Sequence, residues 1–409
     1  IKGKLDLDYS DLLTELPEST GMLPGGLDRV FDEIDWWLAK LVPGGRFLEG
    51  RAAVRAHFEK LDRGVLAAAI RGSDLLTEFD GLVDVSGGEF HPFLNQDIVV
   101  SATRLELLAG CPYAYFLNYV LGISKPDELE YDQTRWLDPR QRGTLLHEIL
   151  CGFMRELRER AESVDPERHR GLMDEIAEAS IGAARDEIPP PSEGIFQRER
   201  KELYESLEVF LKAEKNRTRP VEPVLFEAGF GLKHHDGEGI RDAVEIPVTA
   251  EFRIRVGGKI DRVDRVAANH YRVIDYKSGS YKRYEDIVCF NGGRSIQHAL
   301  YSRAAEAILR IKGMDDHPVV EEGGYSFPSR RGEGREILFG RDRCERFEEL
   351  LGELMSLLDQ GSFLVHPAAR CDYCDYAPLC GAGAADRSKG KRLGNPDAYG
   401  VFERLKDFE

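Results

Sequence analysis

Apolar residues recur at helical spacing through the first part of the chain and at alternate positions after Pro223, and this change of period organises everything else. Leu27-Asp-Arg-Val-Phe-Asp-Glu-Ile-Asp-Trp-Trp-Leu-Ala-Lys-Leu carries a helical stripe that stops at Val42-Pro-Gly-Gly, and a second helix is predicted from Arg51 to Arg71. A looser connection with Phe79-Asp-Gly and Gly87-Gly leads to a boundary near Val99. Ser101-Ala-Thr-Arg-Leu-Glu begins another helix: Ser101 or Thr103 supplies the cap, and Thr103-x-x-Glu106 fits the capping box. A longer helix opens at Gly143-Thr-Leu-Leu-His147 and runs to Ala161, a third covers Arg198 to Lys215, and Pro189-Pro-Pro191 is a loop.

Beyond Pro223, four strands are predicted: Val224–Phe230, Ile246–Val256, Lys259–Val266 and Tyr271–Lys277, with turns at Gly257-Gly258 and Ala267-Ala-Asn-His. A helix from Ser295 to Ile311 and a strand near Gly324-Tyr-Ser-Phe follow. Antiparallel meander, helix, strand makes an α/β (α+β) core with a mixed sheet flanked by helices, rather than a doubly wound parallel sheet. Residues 1–98 are expected to form an N-terminal helical accessory region, 99–381 the main domain, and 382–409 a C-terminal tail.

Composition narrows the class. A chain of 409 residues, 42% hydrophobic and 32% charged, is an ordinary globular protein with room for more than one domain, or for one large domain and an accessory region. No apolar run approaches the roughly 20 residues that cross a bilayer, so no membrane partner is expected. Seven cysteines without a secretory signal indicate a reducing, cytoplasmic setting. The opening Ile1-Lys-Gly-Lys, without Met, leads us to expect a piece of a longer chain. A net charge of −17 argues against a general polyanion binder, although a groove can be locally basic and carboxylates holding Mg²⁺ draw phosphate through the ion. The chain has no G-x-x-x-x-G-K-[ST], hence no P-loop motor of its own.

Val273-Ile-Asp275-Tyr-Lys277 puts an acid and a lysine on one face of a strand, with Tyr276 opposite. If Asp261 stands on the neighbouring strand, the two carboxylates can share one hard cation, Mg²⁺ or Mn²⁺, while Lys277 positions water or meets charge on a phosphate. An isolated D-x-K is more often an exposed salt-bridged face. His147 on an apolar helix face is more often a satisfied core residue than a ligand, and Gln297 and Tyr301, one helical turn apart, read singly as a polar stripe. His234-His235 is a polar loop and Gly332-Glu-Gly a turn.

The cysteines carry more. Cys371-x-x-Cys374-x5-Cys380 lets soft ligands chelate one centre, and Cys111 makes a fourth, a set suited to zinc or to an iron–sulfur cluster. Cys151, Cys289 and Cys344 are scattered and read as small buried hydrophobes.

Taken in order, these segments resemble the nuclease domains of the PD-(D/E)XK superfamily found in RecB and AddB subunits of bacterial helicase–nuclease complexes and in CRISPR-associated iron–sulfur exonucleases. Leu105-Glu-Leu-Leu-Ala-Gly-Cys111-Pro-Tyr-Ala-Tyr-Phe is similar to the cysteine-bearing entry helix and Gly143-Thr-Leu-Leu-His147 to the histidine motif. Gly258-Lys-Ile-Asp261-Arg-Val-Asp resembles the first acidic motif, Val273-Ile-Asp275-Tyr-Lys277-Ser-Gly the D-x-K motif, and Gln297-His-Ala-Leu-Tyr301 the Q-x-x-x-Y helix. The resemblance implies that His147, Asp261, Asp275 and the Tyr276 carbonyl bind the metal, that Lys277 is the catalytic lysine, and that Gln297 and Tyr301 support the site. It implies a [4Fe–4S] cluster on Cys111, Cys371, Cys374 and Cys380. The expected activity is that of an Mg²⁺/Mn²⁺-dependent DNA exonuclease of the AddB type, beside an AddA-like helicase subunit in double-strand break repair. The rival expectations are a nuclease-fold module that holds DNA or a partner without cutting, and a stand-alone CRISPR-type iron–sulfur exonuclease.

Overall fold

The computed structural model describes residues 58–409 apart from 86–87, 89, 126–131, 218 and 234–236, together with Glu33 and Trp36, both helical. The rest of the helix expected over Leu27–Leu41, the first residues of the one expected from Arg51, and the His234-His235 loop lie outside the described residues. Two units are distinguished, residues 1–73 and 74–409. Helix α1 (Glu59–Arg71) belongs to the first.

The second unit is built on a five-stranded sheet, β2 (Glu222–Phe230), β5 (Gly258–Ala267), β6 (His270–Tyr276), β7 (Val319–Ser326) and β8 (Glu336–Gly340), ordered β2-β5-β6-β7-β8. All neighbours are antiparallel except β6 and β7, which run parallel. That parallel step needs a crossover, and helix α6 (Gln297–Ile311) supplies it, on the face where Tyr271 and Val273 of β6 point. Gly323 permits the close fit: a Cβ there would stand 2.4 Å from Ser302 Oγ and 2.8 Å from the His298 carbonyl. Helices α2 (Ala102–Gly110) and α7 (Phe347–Asp359) complete this layer. Ile274 and Tyr276 point to the opposite core, made by α3 (Pro139–Glu159), α4 (Pro166–Glu187) and α5 (Glu193–Lys215).

Three expectations change. The segment Ile246–Val256 is two strands, β3 (Val244–Pro247) and β4 (Arg253–Val256). Thr249 Oγ1 accepts from the Glu251 and Phe252 amides at 3.2 and 3.1 Å and bends the chain between them. These strands pair with β1 (Val99–Val100) in a separate three-stranded sheet, so β2 pairs directly with β5 rather than through a meander. Helix α4 was unforeseen because its buried stripe is only His169, Met173, Ala177 and Ile181. Thr103 and Glu106 form no capping box: Ser101 caps α2, and Glu106 reaches elsewhere. Helix α3 begins before Gly143, at Pro139, where Asp138 and Gln141 form a reciprocal cap.

Beneath the sheet lies a buried ionic network. Arg262, with no exposed surface, donates to Asp264 Oδ1 (2.6 Å), Glu214 Oε1 (2.9 Å) and the Tyr276 hydroxyl (3.2 Å), while Arg272 donates to Asp264 Oδ2 (2.9 Å). Each charge has a partner of opposite sign, the condition under which buried ions are tolerated. C-terminal Tyr399, Val401, Phe402, Leu405 and Phe408 pack into the α6 core. Among the described residues no helix is long and apolar enough to cross a membrane.

Candidate active site

Strand β6 ends at Tyr276, and its last residues meet the N-terminus of α6 on one side and α3 on the other. Alternation turns Asp275 and Lys277 the same way. Lys277 Nζ lies 2.6 Å from Asp275 Oδ2 and donates to Gln297 Oε1 at 2.9 Å, while Gln297 Nε2 donates to Asp275 Oδ1 at 2.7 Å. Each of the three therefore holds the other two. Tyr301, one turn further along α6, is buried against Gly258, where an added Cβ would meet its ring and hydroxyl at 3.0 Å.

From α3, His147 Nε2 lies 3.0 Å from the Tyr276 carbonyl oxygen and its Nδ1 lies 3.4 Å from Asp261 Oδ1. Asp261 Oδ2 accepts from the Tyr276 amide at 2.7 Å, so both peptide groups of Tyr276 are held by expected ligands. His147, Asp261, Asp275 and Gln297 line one cleft of about 370 Å³, with Arg140, Gly143, Thr144 and Lys259 on its walls.

The sequence missed Glu227. Its carboxylate, that of Asp261 and a ring nitrogen of His147 lie within 4.8 Å of one another. Glu227 sits on β2 opposite Asp261, between the pairs Phe226↔Arg262 and Ala228↔Ile260. Its φ of +48° is a left-handed conformation costly for a residue with a side chain. An acid interrupting Val224-Leu-Phe-Glu-Ala-Gly-Phe was the available signal.

Excess negative charge governs the protonation of the site. Burial opposes a charged imidazole, yet Asp261, then Asp275 and Glu227, raise His147 to about 9. Burial, then repulsion from Asp261, pushes the Asp275 carboxyl up to about 7 against the pull of Lys277. Lys277 is itself raised, burial being outweighed by Asp275. Protons occupy positions where a cation would be welcome. The donor set of carboxylates, a backbone carbonyl and one imidazole suits Mg²⁺ or Mn²⁺.

The second cluster joins the ends of the unit. Cys111 closes α2, and Cys111, Cys374 and Cys380 pack with Ala114, Leu117 and Tyr376, whose hydroxyl donates to the Ile123 carbonyl at 2.9 Å. Burial raises the Cys111 thiol, with the Cys374 sulfur adding to it, while backbone hydrogen bonds from His366, Ala114 and Tyr113 favour its thiolate. Cys371 stands in the turn Cys371–Tyr373, half-buried. The four sulfurs contain no set of three lying within 4.8 Å of one another.

Residues 99–381 match the PD-(D/E)XK nuclease superfamily, and the chain belongs to that family. It is also similar to proteins named as the AddB component of an ATP-dependent helicase/deoxyribonuclease. That of Moorella thermoacetica is 30% identical over 218 residues, covering 50% of this chain and 17% of the relative. That of Clostridium perfringens is 24% identical over 357 residues (69% and 30%), and that of Acetivibrio thermocellus 27% over 266 (61% and 22%). The chain thus spans less than a third of the length of these relatives.

Proposed function

We propose that this chain is the nuclease part of a helicase–nuclease subunit and hydrolyses DNA phosphodiesters with a divalent metal, Mg²⁺ or Mn²⁺. The observation that carries the proposal is the mutual clamp of Asp275, Lys277 and Gln297 beside His147 and Asp261 in one open cleft. His147, Asp261, Asp275 and the Tyr276 carbonyl would hold the metal, with Glu227 as an additional oxygen donor. When bound, the ion supplies positive charge against the phosphate and acidifies a coordinated water.

The chain's own groups do the rest. Gln297 and Asp275 fix Lys277, leaving its remaining ammonium protons to orient a water or to meet charge gathering on a phosphate oxygen. Arg140 and Lys259 place positive charge on the walls of an otherwise acidic cleft and suit a phosphate backbone. The names of the relatives support DNA as substrate and a helicase as partner.

The same reading assigns Cys111, Cys371, Cys374 and Cys380 to a [4Fe–4S] cluster. A zinc ion with bonds near 2.3 Å would hold its sulfurs about 3.8 Å apart, closer than the spacing found here. The test is digestion of linear DNA with Mg²⁺ or Mn²⁺ by the wild-type chain and by Asp275→Asn. Metal-dependent loss of DNA only with the wild type is expected; equal digestion by both, or none by either in the presence of the helicase partner, rejects the proposal.

A further inference from the structure

Two of the three cysteines without an evident partner in the sequence meet in the fold. Cys289 lies in the loop before α6, and Cys344 in the turn Arg341–Cys344 after β8. Their sulfurs are 3.5 Å apart, and Cys289 Sγ lies 3.8 Å from Nε2 of His298, in the first turn of α6. All three ligand atoms fall within 4.8 Å of one another, and the residues are 4%, 6% and 2% exposed. We propose that Cys289, His298 and Cys344 form a structural site for a thiophilic divalent cation, Zn²⁺.

Size supports this assignment. With Zn–S bonds of 2.3 Å and Zn–N of 2.1 Å, a tetrahedral ion separates its ligands by about 3.8 Å between sulfurs and about 3.6 Å from sulfur to nitrogen. The observed separations are already close to those edges. The imidazole is held in place, stacked on Phe339 with ring centroids 4.1 Å apart and against Phe290 at 6.0 Å. Its Nε2 has only sulfur to face.

Charge supports it as well. Hydrogen bonding to Cys289, then to His298, holds the Cys344 thiol down to about 5 against burial, while Cys289 is driven well up by its bond to Cys344. One sulfur is therefore ready as a thiolate and the second keeps its proton. A Zn²⁺ ion with two thiolates and a neutral imidazole is uncharged overall, the only ionic state a dry pocket accepts cheaply. Among the described residues no fourth cysteine, histidine or carboxylate joins the group, so the fourth position falls to a non-protein donor. The ion would tie the loop before α6, the first turn of α6 and the end of β8 together, immediately beside Gln297.

The whole chain, purified without oxygen and supplied with Zn²⁺, should bind about one equivalent that resists dialysis. X-ray absorption at the zinc edge should report mixed sulfur and nitrogen ligation. Cys289→Ser and Cys344→Ser should each lose that equivalent, and Cys371→Ser should keep it. Because the serine variants could misfold, the wild-type spectrum is decisive alone. No retained zinc, zinc bound by four sulfurs only, or a Cys289–Cys344 disulfide in peptides from oxygen-free protein overturns the proposal.

Discussion

Glu106 and Gln297 are joined across the fold: the Glu106 carboxylate accepts hydrogen bonds from the backbone N–H groups of Ile296 (2.9 Å) and Gln297 (3.3 Å). The helix that ends at Cys111 thereby caps the helix that presents Gln297 to Asp275 and Lys277. Glu106→Ala leaves two amides at that helix start unpaired and should cost about 1–3 kcal/mol in urea unfolding. It should lower kcat for DNA cleavage more than it raises KM. Glu106→Gln, which keeps an acceptor, should recover most of both. Equal loss of kcat in the two variants would separate Glu106 from Gln297.

Lys277 has no substitute within reach of both Asp275 and Gln297. Lys277→Ala should reduce metal-dependent cleavage at least about a hundredfold while circular dichroism stays native. Lys277→Arg should not rescue it, because a planar guanidinium does not fit a site shaped around a compact ammonium. Rescue by arginine would make charge alone sufficient.

Metal affinity should follow pH in two segments. Ligation displaces protons from Asp275, raised to about 7, and from His147, raised to about 9. Mn²⁺ affinity should climb about a hundredfold per pH unit below about 7, about tenfold per unit between about 7 and 9, and level off above. The metal-free fold behaves oppositely. His147, raised from 6.5, lends stability that is full below that value and lost as pH rises through about 9. Asp275, raised from 3.8, lends stability that is lost as pH rises through about 7. Calorimetry across pH, with and without Mn²⁺, checks both limbs, and a flat affinity profile would dismiss the two protons.

Glu227 should reveal itself through its backbone. Glu227→Gly removes the carboxylate and relieves a left-handed conformation that costs about 1 kcal/mol. Mn²⁺ affinity should fall about tenfold or more, while unfolding in chelator shows no loss of stability. Unchanged affinity would reduce Glu227 to the ion-pair partner of Lys259.

Cys111→Ser should release both ends of the second unit. Limited proteolysis should cut near Cys371–Cys380, iron should be lost from anaerobically prepared protein, and the Asp275–Lys277 pair should remain in place. A variant that keeps its iron would detach Cys111 from the cluster.

Much of this site was legible because its residues announce themselves locally. The alternation Val273-Ile-Asp275-Tyr-Lys277 set the face of each side chain before any partner was known, and Gln297 and Tyr301 followed from helical spacing. Contacts closed by the tertiary fold were not legible. Glu106 looked like part of its own helix's cap because Thr103-x-x-Glu106 fits that pattern, yet its partners lie 190 and 191 residues away. Cys289 and Cys344 looked like isolated hydrophobes because nothing local states that β8 returns beside the start of α6. The split of Ile246–Val256 depended on a hydroxyl, Thr249, that a hydrophobic pattern does not weigh.

The ion network under β6 has a further consequence for how the protein meets its medium. Arg262, Asp264, Glu214 and Arg272 lie where counterions do not penetrate, so added salt leaves their pairing, and the Tyr276 peptide above them, undisturbed. Phosphate contacts on the cleft walls have no such shelter. The scaffold and the grip on a polyanion are thus decoupled in ionic strength. Cleavage that fades between dilute and concentrated salt would report the encounter with nucleic acid, measured on a frame that has not moved.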